Sequence, residues 1–249
     1  MGYKKLLPKA ACLFVATGAV ITCTSAVVAA EQPLIEAVKV GDGNTVRSLL
    51  ANGVSVDSVE PDGTTALHWA AHYNHEDLAR LLLAAGANVD AVNRYEVTPL
   101  ALAALNGSAG MLGRLLEAGA DPNRPNPEGE TPLMTAARTG NGLALTVLLD
   151  HGADVDAIEA WRGQTALMWA VAQNQVDSVD VLLRAGADPN ARSTGGFTPI
   201  LFAAREGYLG VINRLVRAGA NVDDVVPGSG CLLYTSPSPR ALSTCRMPS

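Results

Sequence analysis

One six-residue phrase returns five times along this chain: Thr65-Ala-Leu-His-Trp-Ala70, Thr98-Pro-Leu-Ala-Leu-Ala103, Thr131-Pro-Leu-Met-Thr-Ala136, Thr165-Ala-Leu-Met-Trp-Ala170 and Thr198-Pro-Ile-Leu-Phe-Ala203. The spacings are 33, 33, 34 and 33 residues. A second phrase keeps step with it, at Gly86-Ala-Asn-Val-Asp90, Gly119-Ala-Asp-Pro-Asn123, Gly152-Ala-Asp-Val-Asp156, Gly186-Ala-Asp-Pro-Asn190 and Gly219-Ala-Asn-Val-Asp223, with Gly53-Val-Ser-Val-Asp57 as a weaker forerunner. A period of this length means stacked supersecondary units, none of which buries its apolar face alone.

Within a unit, the threonine hydroxyl is placed to cap a helix, and the proline that often follows is tolerated in the first turn. That inner helix is rich in alanine (Ala70-Ala71, Ala103-Ala104, Ala136-Ala137), so a neighbour can approach closely. Gly107, Gly140 and Gly207 stand where its end needs a left-handed residue, with Asn74 and Asn174 as substitutes. An outer helix follows, with apolar residues at helical spacing such as Leu78, Leu81 and Leu82, or Val179, Leu182 and Leu183. Gly-Ala stops it, and a stretch rich in Asp, Asn, Pro and Gly turns the chain back.

These two phrases resemble the ankyrin repeat over residues 33 to 230. The resemblance implies an all-α ankyrin-repeat α-solenoid in which each unit is two antiparallel helices and a projecting β-hairpin finger. An N-terminal helix pair would occupy 31–57 and full units 58–90, 91–123, 124–156, 157–190 and 191–223. Residues 224–230 would start a further, interrupted unit, because Cys231 falls where its threonine belongs. His68 alone fills the histidine slot through which the family ties adjacent turns. Ala101, Met134, Met168 and Leu201 fill the others, so looser hydrogen bonding is expected there. Glu96 replaces the fingertip glycine of the other units, which puts the regularity of 91–97 in doubt, and one extra residue near Ala160-Trp161-Arg162 lengthens the fourth finger.

Both ends depart from the repeat. Met1 to Ala30 reads as an export signal: Lys4, Lys5 and Lys9 form the positive head, Ala10 to Ile21 carry no charge, and Val28-Ala29-Ala30 suits cleavage before Glu31. An uncleaved membrane anchor is the alternative. Neither Cys23 as a lipid site nor Gly2 as a myristoylation site has fitting neighbours. Residues 231–249 turn to Ser, Pro and Arg, and Cys231 to Arg240 reads as a translated DNA-sequencing adaptor. A native Ser/Pro tail is the alternative. The expected protein is exported, periplasmic or secreted, and bacterial in style.

The ends also change the charge. Five of the 18 bases (Lys4, Lys5, Lys9, Arg240, Arg246) and none of the 24 acids lie in them, so 31–230 carries a formal −11. That excludes nucleic acid and anionic membrane as natural partners and favours a partner with a basic face. All of Cys12, Cys23, Cys231 and Cys245 lie in the ends as well, so 31–230 holds no thiol for catalysis or metal.

Catalytic patterns are otherwise absent and no cofactor is expected. His68, His72 and His75 share one segment, and the spacing of the first two can place both imidazoles on one helical face. They are weak metal candidates, since no further ligand stands near them in sequence. The positions that the repeat explains least are the informative ones. Tyr95, Trp161 and Phe197 are aromatic at or near fingertips, Arg94 and Arg162 flank them, and Tyr73, Arg138 and Arg205 sit at the ends of inner helices. Aromatic residues and arginine together make the composition of an interface anchor. A monomeric scaffold that binds a protein through a concave face of fingers and inner helices is the expectation. A substrate-presenting region of an enzyme, or a secreted effector that binds a host protein, are the alternatives.

Overall fold

Threonine capping sets the inner helices. The computed structural model describes residues 33–225, which leaves the expected leader, the tail and almost all of 224–230 outside the described residues. Thr65, Thr98, Thr131 and Thr165 each accept the backbone N–H three residues on, opening α3 (Ala66–His72), α5 (Pro99–Asn106), α7 (Pro132–Thr139) and α9 (Ala166–Ala172). Thr198 starts α11 (Pro199–Glu206) without that bond, and its buried hydroxyl has no partner among the described residues. The expected cap is therefore made in four units and missing in the fifth, and nothing in the structure explains the difference.

The predicted left-handed ends are where the sequence put them. Gly107, Gly140 and Gly207 take φ of 65°, 82° and 77°, and Asn74 and Asn174 take 56° and 55°. The chain then enters the outer helices α4 (Glu76–Ala84), α6 (Ala109–Glu117), α8 (Gly142–Asp150), α10 (Val176–Arg184) and α12 (Leu209–Arg217). One further pair, α1 (Pro33–Lys39) and α2 (Gly43–Ala51), precedes them. Each inner helix packs on the next inner helix, each outer on the next outer, and the two of a pair on each other. The core is the seam between these layers. In its middle, Leu100, Met111, Leu112, Leu115, Leu133, Met134, Leu145 and Leu148 are all almost wholly buried. Truncating such a leucine to alanine costs roughly 2–5 kcal/mol. No helix among the described residues is long and apolar enough to cross a membrane.

The second phrase builds a ladder. The last Asp or Asn of each copy accepts, with its side chain, a backbone N–H from the next copy: Asp57 from Asn88 (2.9 Å), Asp90 from Asp121 (3.2 Å), Asn123 from Asp154 (2.7 Å), Asp156 from Asp188 (3.0 Å) and Asn190 from Asn221 (2.8 Å). Where that residue is asparagine, its amide also donates to the carbonyl of Gly152 or Gly219. A side chain of each unit thus ties the backbone of the next.

The fingers are tighter than hairpin strands. Strand pairing between two described residues is limited to isolated bridges, Val59 with Thr65 and Ile158 with Thr165. Each finger closes instead by a turn, as in Glu60, whose N–H donates to Thr64 and whose carbonyl accepts from Gly63. Glu96 does not disturb the second finger. It takes the left-handed conformation itself, at φ 56°, and donates to the Asn93 carbonyl as the glycines do elsewhere. The extra residue of the fourth finger shows as a wider turn, with Gly163 bonding the carbonyl of Glu159 four residues back rather than three.

Neighbouring fingers are joined by backbone bonds from Arg94 to Asp62 (2.7 Å), Ala160 to Glu128 (3.3 Å) and Thr194 to Arg162 (2.8 Å). The matching donor between the second and third fingers would be residue 127. It is proline, which has no N–H, and the rung is missing.

Candidate functional site: fingers and inner helices

Trp69 and Trp169 hold the same repeat position on α3 and α9. Around Trp69 the chain closes a complete set of contacts. The indole Nε1 donates to Glu60 at 2.9 Å, and Lys39 from α1 bonds the same carboxylate at 2.8 Å and Glu36 at 2.9 Å. The Lys39 ammonium sits 4.7 Å from the centroid of the Trp69 ring, a cation–π distance. Hydrogen bonds to Glu60, then Glu36, hold Lys39 above the ordinary lysine value, against the opposing effect of burial. Tyr73 stacks on Trp69 with centroids 5.6 Å apart, and His72 meets both rings edge-on.

The three histidines do not form one face. His68 is fully buried: its Nε2 donates to the Val97 carbonyl at 2.9 Å, and its Nδ1 accepts from the Thr65 amide and hydroxyl at 3.2 and 2.8 Å. Both ring nitrogens are therefore engaged, and this assignment fixes the neutral tautomer. Burial pushes the imidazole below its usual value, while the Val97 bond and the charge of Asp62 pull the other way. His72, four residues on along α3, is exposed among the aromatic rings. Among the described residues no three His, Cys, Asp or Glu side chains are grouped to hold a metal.

Trp161 and Tyr95 stand clear of the fold, at 77% and 59% exposure. Arg94 lies over the Tyr95 ring at 5.3 Å and donates to its hydroxyl at 3.3 Å, while Arg162 is exposed beside Trp161. Phe197 is not at a tip. It is half-buried on the return side of the fifth finger, 5.4 Å from Phe202, with Arg205 over both rings. Arg138 reaches Glu130 at 3.6 Å and the Trp169 ring at 5.8 Å.

These geometries sit on a repeat that has known counterparts. The model of ankyrin repeats (three copies) matches residues 34–126 and 111–193, and the single ankyrin repeat matches 195–225. The chain belongs to the ankyrin-repeat family. It is similar in structure to the ankyrin repeat domain of Bcl-3, with a TM-score of 0.77 at 29% identity over 87% of this chain and 98% of that one. The human ASB11 ankyrin repeat domain gives 0.74 at 29% identity, over 88% of this chain and all of that one. Curated relatives match over single stretches: the palmitoyltransferase AKR1 of Candida albicans is 39% identical over 59 residues, and the glycerophosphocholine phosphodiesterase gde1 of Schizosaccharomyces pombe is 40% identical over 62. Each stretch is 24% of this chain, and the match covers only 7% and 6% of those proteins' lengths. Their enzyme names describe the larger proteins. Ankyrin repeats are typically scaffolds for protein–protein interaction.

One residue of this ankyrin stack that sequence reasoning missed is Glu159. It is buried at 6% exposure, and its carboxylate accepts three backbone N–H groups of its own finger: Trp161 (2.6 Å), Arg162 (2.7 Å) and Gln164 (3.1 Å). The signal was the position: Asn93, Asn126 and Ser193 hold it in other fingers, and each accepts from the backbone of its own finger. Trp169 pays for this: Glu159, which stands where Glu60 stands, does not reach it. Trp169 Nε1 and Arg138 Nε are both buried atoms with no partner among the described residues. An unmade hydrogen bond of this kind costs roughly 1–3 kcal/mol.

Proposed function

We propose that the protein is an exported scaffold that binds a protein partner across its fingers and inner helices, the concave face of an ankyrin stack. The observation that carries this is Trp161. A large aromatic ring at 77% exposure sits on a turn whose backbone is clamped by three bonds to one buried carboxylate. With the backbone held, an exposed tryptophan has only two side-chain torsions to lose on binding, which suits an interface anchor. Tyr95 with Arg94 gives a second such point, and Tyr73, Arg138, Arg162, Phe197 and Arg205 extend the surface between them. At this exposure most of the Trp161 ring is open to a partner.

The −11 charge of 31–230 favours a partner with a basic face and a chain that stays monomeric. The leader-like 1–30 carries the export part of the reading, and the reading assigns no reaction to residues 33–225. Replacing Trp161 and Tyr95 together by alanine is the test. Retention of a quantified partner should fall tenfold or more, on the order of an interface hot spot, while the thermal midpoint holds. Loss of both in equal measure would mean that the rings serve the fold. Fractionation of the producing cell tests export, and a chain held in the cytoplasm would sink that part.

A further inference from the structure

We infer that Arg138 and Trp169 together receive a carboxylate from the protein partner, an aspartate or glutamate side chain set in an otherwise basic surface. This rests on the protein-binding reading above and names the partner's chemistry at one point.

The molecule contains its own template for the contact. Lys39, Trp69 and Glu60 occupy the same repeat positions as Arg138, Trp169 and Glu159. In the first set the cation lies over the ring, and the carboxylate bonds both the cation and the indole N–H. In the second set the cation again lies over the ring, at 5.8 Å, but the indole N–H and the Arg138 Nε both lack an acceptor. The two donors left unmet here match the two that the Glu60 carboxylate meets in the first set.

Neither Glu159 nor Glu130 is free to meet them. Glu159 is held by three amides of its own finger. Glu130 accepts from Thr135 at 2.9 Å and from Asn126 at 3.4 Å, and touches Arg138 only through a terminal nitrogen at 3.6 Å. An outside carboxylate satisfies both donors and gains a charge-assisted bond to the guanidinium. Seating it takes a turn of the Arg138 side chain, which is 37% exposed and held by that long pairing and the ring contact. The net charge of 31–230 disfavours a wholly acidic partner, so the acid stands within a basic surface that the overall field draws in.

The test reads the indole N–H resonances of Trp69, Trp161 and Trp169 in the full chain labelled with nitrogen-15, assigned by Trp→Phe variants. The probes are a short lysine-rich peptide with one central glutamate and the same peptide with alanine there. The glutamate peptide should move the Trp169 resonance downfield and leave Trp69, already bonded to Glu60, in place. Arg138→Ala should weaken that peptide roughly tenfold and bring it to the level of the alanine peptide. An unmoved Trp69 resonance in that variant reports that it still folds. If both peptides move Trp161 alike and neither moves Trp169, the surface binds protein but the carboxylate site is wrong. If no indole responds to either peptide, the site and the binding reading fail together.

Discussion

The fourth unit is one residue longer than the first, and the two fingers use their glutamates differently. Both hold a tryptophan and a glutamate at matching positions, with a cation from the inner helix of the preceding unit. In the first finger Asp62 takes the Thr64 amide, and Glu60 bonds Trp69 and Lys39 instead. With the wider turn, Glu159 is drawn inward by amides that have no other acceptor, and Trp169 is left unpaired. Backbone donors inside a closed turn compete better for a carboxylate than an indole outside it, because they cost more to leave unmet.

The strongest way to break the comparison is Glu159→Ala. Three amides lose their acceptor, and a loss on the order of 3 kcal/mol is expected, with hydrogen exchange of Trp161, Arg162 and Gln164 rising most. Glu60→Ala should cost only about 1 kcal/mol, since Lys39 keeps Glu36. Equal losses in the two variants would show that the two glutamates play the same part. Next is Gly129→Ala at the neighbouring fingertip. An added Cβ would stand 2.6 Å from the Ala160 nitrogen, at a backbone φ of 81° that disfavours a side chain. A loss of roughly 2 kcal/mol follows, and unfolding in urea checks it.

The first unit also carries a pH dependence that the fourth lacks, because Met168 fills the slot of His68. Burial keeps His68 neutral in the fold below its ordinary value, so as pH falls past about 6.5 the unfolded chain takes up the proton first. Its contribution is complete above that pH and is lost between there and the depressed folded value. Between pH of about 7.5 and 5.5 the thermal midpoint should fall by a few degrees, and less in His68→Met. An identical slope in the two proteins would remove His68 from the account. The smallest effect belongs to Glu96→Gly. Relief of its left-handed strain should stabilise the second finger by about 1 kcal/mol, and no gain would mean that Glu96 makes up the strain by another contact.

Much of this was legible in the sequence because each repeated residue does a repeated job. The caps at Thr65, Thr98, Thr131 and Thr165, the left-handed ends at Asn74 and Asn174, and the widened fourth finger all follow from residue type and spacing. What was not legible depends on competition. Nothing in the letter distinguishes Glu159 from Glu60; the count of amides facing each one does. Phe197 looked like a tip residue because it lies beside a turn glycine, yet it follows Gly196 and the chain is already returning to the core, where Phe202 covers it. Glu96 looked disruptive because the sequence does not reveal that a bonded turn can hold a non-glycine residue in a left-handed state.

The Asp and Asn ladder of the second phrase has a consequence for the history of such a chain. Every unit offers a carboxylate or amide oxygen on one side and a backbone N–H on the other, so every junction is the same plug in the same socket. A gene segment of one period can be copied or lost without leaving either half unmatched. Lengthening the stack then takes no new chemistry at the junction, and natural selection is left free to alter the fingers one at a time.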